Sequence, residues 1–148
     1  MGVAMADQES DYHYFNDYQR RYFEWAGIEV VEAADGRARV RMAVKEHHRG
    51  GGEGAAVNGG IAAYLFDGLL GAAVRSTWDP DVTGQVTMTL TVDYLRPLLA
   101  RQAIAAYGEV THRGRSAVYV RGEIYDQSGR VAMTATGIYH LFRSRHER

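Results

Sequence analysis

Residues 54–74 carry one charged side chain, Asp67. Ala55 to Phe66 before it and Gly68 to Val74 after it are apolar, small or aromatic, apart from Asn58. An ionised carboxylate loses its hydration when buried, so a lone acid in an apolar helix needs a reason. A general base or a nucleophile supplies that reason. Tyr64, Leu65, Phe66, Leu69 and Leu70 flank it, and apolar surroundings that favour the neutral acid suit a base. Nine residues earlier stands Asn58-Gly59-Gly60. Asparagine is a good N-cap, and glycines let another group approach the backbone closely. A helix N-terminus offers unpaired N–H donors and partial positive charge, suited to a developing oxyanion. The two features lie roughly 13 Å apart along one helix. A small carbonyl cannot touch both in one chain, so joint action requires a neighbouring subunit.

Other chemistries are less well supplied. The chain of 148 residues has no cysteine, which removes disulfides, thiolate metal sites and a cysteine nucleophile. His47-His48 sits in a loop with no third ligand and reads as a solvated pair, so no metal is expected. Gly50-Gly51-Gly52 lacks the Lys and Ser/Thr of a phosphate-binding loop and reads as a flexible loop. The net charge of −1 advertises neither nucleic acid nor an anionic membrane. Residues 54–74 approach membrane-spanning length, but Asp67 and five glycines argue against a span. Met1 to Asp11 is polar and lacks the apolar core of a signal peptide. A cytoplasmic protein is expected.

The elements that must position these residues can be read from periodicity. Tyr14, Phe15, Tyr18, Tyr22 and Trp25 recur at helical spacing, which predicts an amphipathic helix within the first 26 residues, its aromatics covering core. Ile28–Ala34 and Arg37–Val44 flank Asp35-Gly36, a hairpin signal. Arg37, Arg39 and Arg41 alternate with apolar residues and read as a solvated face. A long helix runs from about Asn58 to Thr77. Gly68 and Gly71 weaken it by about 1 kcal/mol each relative to alanine, which predicts tight packing against a sheet. Val86–Tyr94 alternates, with Val86, Met88, Leu90, Val92 and Tyr94 on one face and Thr87, Thr89, Thr91 and Asp93 on the other. Ala103–His112, Ala117–Tyr125 and Val131–Tyr139 are three further strands, joined as an antiparallel meander by short turns at Arg113-Gly114 and Gln127-Ser128-Gly129. No repeat or boundary interrupts residues 1–148, which read as one domain. A nearly all-apolar helix must be covered on most of its surface. An α+β architecture satisfies that need, with a curved antiparallel sheet wrapped around a long central helix.

Three segments give the chain a family resemblance. Val57-Asn58-Gly59-Gly60-Ile61-Ala62-Ala63-Tyr64-Leu65-Phe66-Asp67 resembles a His-Gly-Gly helix opening with an acid seven residues beyond the second glycine. Val86 to Asp93 followed by Tyr94-Leu95-Arg96-Pro97 is similar to a strand ending in Asn-Tyr-Leu-Arg-Pro. The third is the final meander, with Asp126-Gln127-Ser128-Gly129-Arg130 and Ala135-Thr136-Gly137. All three resemble the hotdog-fold acyl-CoA thioesterases, in the phenylacetate-degradation (PaaI-like) branch. The resemblance implies hydrolysis of an acyl-CoA thioester without a cofactor, by a homodimer that pairs into a homotetramer. By position it implies that Asp67 is the nucleophile or base. Gly59 would polarise the thioester carbonyl through its N–H, and Thr87 would place the acid or the water. Asn58 stands where the family has histidine; it can cap and donate a hydrogen bond but cannot shuttle a proton near neutrality. Gly60 is a further candidate for substrate contact. Arg96, Arg113 and Arg115 are candidates for CoA phosphates, which arginine binds in a fork geometry. The rival reading is an acyl-CoA-binding protein of the same fold without catalysis. A hotdog dehydratase is disfavoured, because no histidine lies in the helix or its opening.

Overall fold

The computed structural model describes residues 17–50 and 56–145. In chain order the elements are α1 (Asp17–Ala26), β1 (Ile28–Ala34), β2 (Arg37–Ala43), a 3-10 turn (Glu46–His48), α2 (Gly59–Arg75), β3 (Val82–Tyr94), β4 (Ala103–Arg113), β5 (Ala117–Tyr125) and β6 (Val131–Arg143). The strands form one antiparallel sheet in the order β1-β2-β4-β5-β6-β3. This is the expected hotdog arrangement, with α2 lying on the sheet.

Local chemistry accounts for the elements. The β1–β2 hairpin turns through Asp35 and Gly36, both at positive φ (50° and 76°), as a tight turn between twisted strands demands. In β2, Ala38, Val40 and Met42 are buried while Arg37, Arg39 and Arg41 are exposed. Arg39 pairs with Glu32 at 2.7 Å on that solvated face. Along α2, Leu65, Phe66, Leu69, Leu70 and Ala73 are fully buried in the core. Each large side chain so buried contributes about 1.5–3 kcal/mol, which outweighs the poor helix propensity of Gly68 and Gly71.

Two readings of the sequence change here. Tyr22 and Trp25 of α1 are exposed rather than covering core. The inner face of the sheet is taken by α2, so α1 lies beside it. There Tyr22 meets the Tyr64 ring at 6.0 Å between centroids and Trp25 meets His47 at 5.0 Å. Tyr14 and Phe15 lie outside the described residues.

The second change concerns β3, whose pairing with β6 slips by one residue between Thr87 and Thr89. Met88 is the extra residue of a β-bulge, which inverts the alternation on either side of it. Gln85 and Thr87 before the bulge therefore face α2, and so do Leu90, Val92 and Tyr94 after it. Val86 and Met88 are exposed. A strand without the bulge would put Thr87 and Tyr94 on opposite faces. Among the described residues no helix is long and apolar enough to cross a membrane.

Candidate functional site

Asp67 is exposed in the single chain, which corrects the expectation of a buried acid. Its neighbours on α2 explain the difference. Gly68 and Gly71 carry no side chain to close over it, and the helix face through residues 64, 67 and 71 opens into a cleft of about 260 Å³. Gly68 packs more tightly on α1 than on the sheet it was expected to meet: a Cβ there would lie 3.0 Å from the Phe23 ring of α1 and 4.0 Å from Ile28 of β1. Gly71 instead faces Gln85 and Tyr139 of the sheet.

The Asp67 carboxylate is oriented by two hydroxyls. Thr87 Oγ1 donates to Oδ1 at 2.7 Å. The Tyr139 hydroxyl lies 2.9 Å from Oδ1 and equally close to the Asp67 backbone carbonyl. Tyr139 is buried, and burial followed by the nearby Asp67 charge drives its pKa strongly upward. It therefore stays a neutral donor. Thr87 and Tyr139 are directly paired across β3 and β6, so one rung of the sheet presents both hydroxyls. Among the described residues Oδ2 has no hydrogen-bond partner, which leaves it free for water or substrate in the cleft.

The N-terminus of α2 is the second locus. Asn58 caps it, its Oδ1 accepting from Gly60 N–H at 2.8 Å. The predicted contact residue Gly60 thus has its donor occupied. The Gly59 carbonyl accepts from the Tyr94 hydroxyl at 2.7 Å, and a Cβ on Gly59 would lie 3.1 Å from the Tyr94 ring. The Gly59–Gly60 peptide is therefore held from both sides. Among the described residues the Gly59 N–H has no partner, as expected of a first-turn donor.

The loop ahead of α2 holds a residue whose burial the sequence concealed. His48 is fully buried rather than solvated. Its Nδ1 accepts from Lys45 N–H at 3.0 Å, and its carbonyl accepts from Asn58 N–H at 2.8 Å. Burial, with His47 and Lys45 adding to it, lowers its pKa. The ring therefore stays neutral, bonded to Lys45, while the His48 backbone carbonyl holds the capping residue.

The three candidate arginines separate. Arg96 is exposed just after Tyr94, at the end of the sheet that meets the α2 N-terminus. Arg113 is committed beyond the other end of α2, where Nε donates to Thr77 Oγ1 at 3.1 Å and Nη2 reaches Asp79 at 3.3 Å. Arg115 is exposed near the same end; its carbonyl accepts from Arg143, which also pairs with Asp79. Thr77 is ten residues past Asp67, roughly 15 Å along the helix axis. Within one chain the structure thus joins Asp67 with Thr87 and gathers Asn58, Gly59 and Gly60 at a second place, with Arg96 two residues beyond the Tyr94 that bonds to Gly59. Arg113 and Arg115 stand apart from both. The roles of Tyr139 and Tyr94 went unnoticed in the sequence; for Tyr94 the Tyr-Leu-Arg-Pro segment was the signal available, and for Tyr139 the register opposite Thr87 is visible only in the structure.

Comparison with known proteins bears on the family and the fold. Residues 54–133 match the model of the thioesterase superfamily. A Halobacterium salinarum protein provisionally named an esterase is 34% identical over 124 residues, covering 79% of this chain and 82% of that one. A conserved protein of Pseudomonas aeruginosa is structurally similar, with a TM-score of 0.73 and 27% identity over 82% of this chain and 93% of that one. The PaaI protein of the E. coli phenylacetic acid degradation operon shares the fold, with a TM-score of 0.72, 24% identity and coverage of 82% and 84%. A family-model match over more than half the chain, with a relative 34% identical over most of both lengths, leads to one assignment: this chain belongs to the thioesterase superfamily.

Proposed function

We propose that the protein hydrolyses acyl-CoA thioesters to a carboxylic acid and free CoA. The observation that carries this reading is Asp67, with Oδ1 fixed by Thr87 and Tyr139 and Oδ2 open to the cleft. Oδ2 takes a proton from water as the water oxygen bonds to the thioester carbonyl carbon. The carbonyl oxygen gains negative charge and is met by the Gly59 N–H at the positive end of α2. The carbon–sulfur bond then breaks, and the departing thiolate takes up the proton. No metal or cofactor is needed for this balance.

Gly59 and Asp67 are eight residues apart on one helix, roughly 12 Å. They serve one carbonyl only if each comes from a different subunit, so the proposed unit is a homodimer, pairing into a homotetramer as in the PaaI-like branch. The edges of the sheet support the choice of interface. β1 carries Glu29 and Glu32, whereas the first eleven residues of β3, Val82 to Val92, are uncharged and expose Val86 and Met88. An uncharged edge of that length is a natural pairing surface. Arg96 is proposed to meet CoA phosphates, being exposed at the end of the sheet near Gly59.

The rival, a non-catalytic acyl-CoA binder, is favoured by Asn58, whose side chain is spent on capping. Release of free CoA from a panel of short, medium, long and aryl acyl-CoAs separates the two. Turnover that falls on dilution, in step with dissociation to monomers, is expected. Tight binding without turnover would favour the binder, and a fully active monomer would refute the shared site.

A further inference from the structure

The cleft beside Asp67 has one wall from outside the segment that matches the family model, which begins at residue 54. That wall is α1, through Tyr22 and Phe23. The opposite wall is fixed by hydrogen bonds. Gln85 Nε2 donates to the Gly71 carbonyl at 2.9 Å, and its Oε1 accepts from Trp78 Nε1 at 2.8 Å. The floor is fixed too, by Tyr139 bonded to Asp67. The α1 wall meets α2 through rings. Phe23 lies over Gly68, where a Cβ would come within 3.0 Å and 3.2 Å of two ring carbons. Tyr22 lies over Tyr64 at 6.0 Å between centroids, tilted by 43°. Tyr64 sits one helical turn before Asp67, and burial, then Tyr22 and the Asp67 charge, push its pKa up. It stays a neutral phenol at the mouth.

We infer that Tyr22 and Phe23 set the size of the acyl group, closing the cleft beside Asp67 to all but a compact apolar one. This inference rests on the acyl-thioester reading. The volume supports it. An apolar cavity of about 150 Å³ holds a benzene ring, so a cleft of about 260 Å³ in the single chain has room for a ring or a short chain. The placement of the two residues supports it as well. They are the part of the wall contributed by a separate element, and Gly68 is the absence that lets Phe23 come so close to α2 beside Asp67. A side chain at 68 would push the α1 wall away.

The test compares wild type with Phe23→Ala, Phe23→Leu and Tyr22→Ala. Leucine keeps apolar contact with α2 should alanine unseat α1, and circular dichroism checks that each variant is folded. The readout is the ratio of kcat/KM for palmitoyl-CoA to that for hexanoyl-CoA and for an aryl-acetyl-CoA. Binding of the matching non-hydrolysable acyl-CoA thioethers is measured alongside. Wild type is expected to favour the compact acyl groups. The ratio is expected to rise tenfold or more in Phe23→Ala, as truncation in an apolar pocket allows, and less in Phe23→Leu and Tyr22→Ala. An unchanged ratio in folded variants overturns the inference while hydrolysis stands. Length-dependent thioether binding that shifts in the variants, without turnover by wild type, supports the inference and sinks the hydrolytic reading. Absence of any acyl-CoA binding sinks both.

Discussion

Asp126 and Asp67 are both aspartates bound by hydroxyl groups, yet their environments run opposite to the usual intuition. Asp126, only 9% exposed, sits in the β5–β6 turn with both oxygens engaged. Oδ1 accepts from Ser128 N–H, Ser128 Oγ and Arg130 N–H at 2.9, 2.6 and 3.0 Å, and Oδ2 meets Arg130 Nε at 3.3 Å. Asp67 is exposed, has two hydroxyls on one oxygen and leaves the other open. Burial alone would have selected the wrong acid. An acid whose donors are saturated holds structure, whereas an acid aimed by donors on one side keeps a lone pair to use. This difference also explains why Asp67 tolerates an apolar helix: its charge points into a cleft rather than into the core.

The sharpest way to break this contrast is Asp67→Asn. An amide keeps the shape but cannot accept a proton from water, so kcat is expected to fall by about a hundredfold to ten-thousandfold. The melting temperature should change little, because the side chain is exposed. Turnover equal to wild type, measured as CoA release, would remove Asp67 from the chemistry and leave the two acids alike in role.

Tyr139→Phe probes the aiming itself. The phenyl ring retains the packing against α2 and removes one donor to Oδ1. Hydrogen bonds to charged groups are worth about 1.5–3 kcal/mol, so kcat should drop by at least tenfold with a smaller change in KM. Thr87→Val should act in the same direction, and the double variant should cost less than the sum, since each donor restrains the same oxygen. Strict additivity would show that the two hydroxyls do not act as one clamp.

The helix N-terminus offers a softer target, because its working group is backbone. Asn58→Ala removes the cap on Gly60 N–H and should cost about 1 kcal/mol of stability, read as a lower midpoint in urea. The Gly59 N–H survives the substitution, and Tyr94 still holds the Gly59 carbonyl. Catalysis should therefore suffer much less than in Asp67→Asn. A loss as large as that of Asp67→Asn would place Asn58 in contact with the reacting carbonyl rather than beneath it.

Much of this was legible from residue types and spacing. The hairpin at Asp35-Gly36, the span of α2 with its Asn58 cap, and the β4–β5–β6 meander with its short turns all follow from local signals, whereas the pairings of β2 with β4 and of β6 with β3 do not. What escaped was set by pairing between strands. The slip at Met88 leaves the sequence Val-Thr-Met-Thr-Leu alternating without interruption, so nothing local reveals that Thr87 and Leu90 share a face. Tyr139 gained its role only because β6 places it opposite Thr87. The exposure of Asp67 escaped for another reason. An apolar run reads as buried all round, but glycines at 68 and 71 count as apolar while opening a face. His48 shows the converse, a polar residue in a glycine-rich loop that the 3-10 turn folds inward.

Asp126 yields the smallest effect and the cleanest sign. The Ser128 hydroxyl is the largest cause holding its pKa down to about 2, joined by the Arg130 and Ser128 N–H groups and the Arg130 charge, against an opposing effect of burial. Its folded value lies below the ordinary carboxylate range, so the stabilisation it gives is fully present above about pH 4. That contribution disappears as pH falls toward 2, where the folded form also takes up the proton. Asp126→Asn should therefore lower the melting temperature at neutral pH and flatten the acid limb between about pH 4 and pH 2, with the CoA-release rate of the folded protein unchanged. An acid limb identical to that of wild type would mean the turn is held by its backbone alone. Loss of activity without loss of stability would mean that saturated donors do not mark a structural acid here, and the contrast with Asp67 would fall.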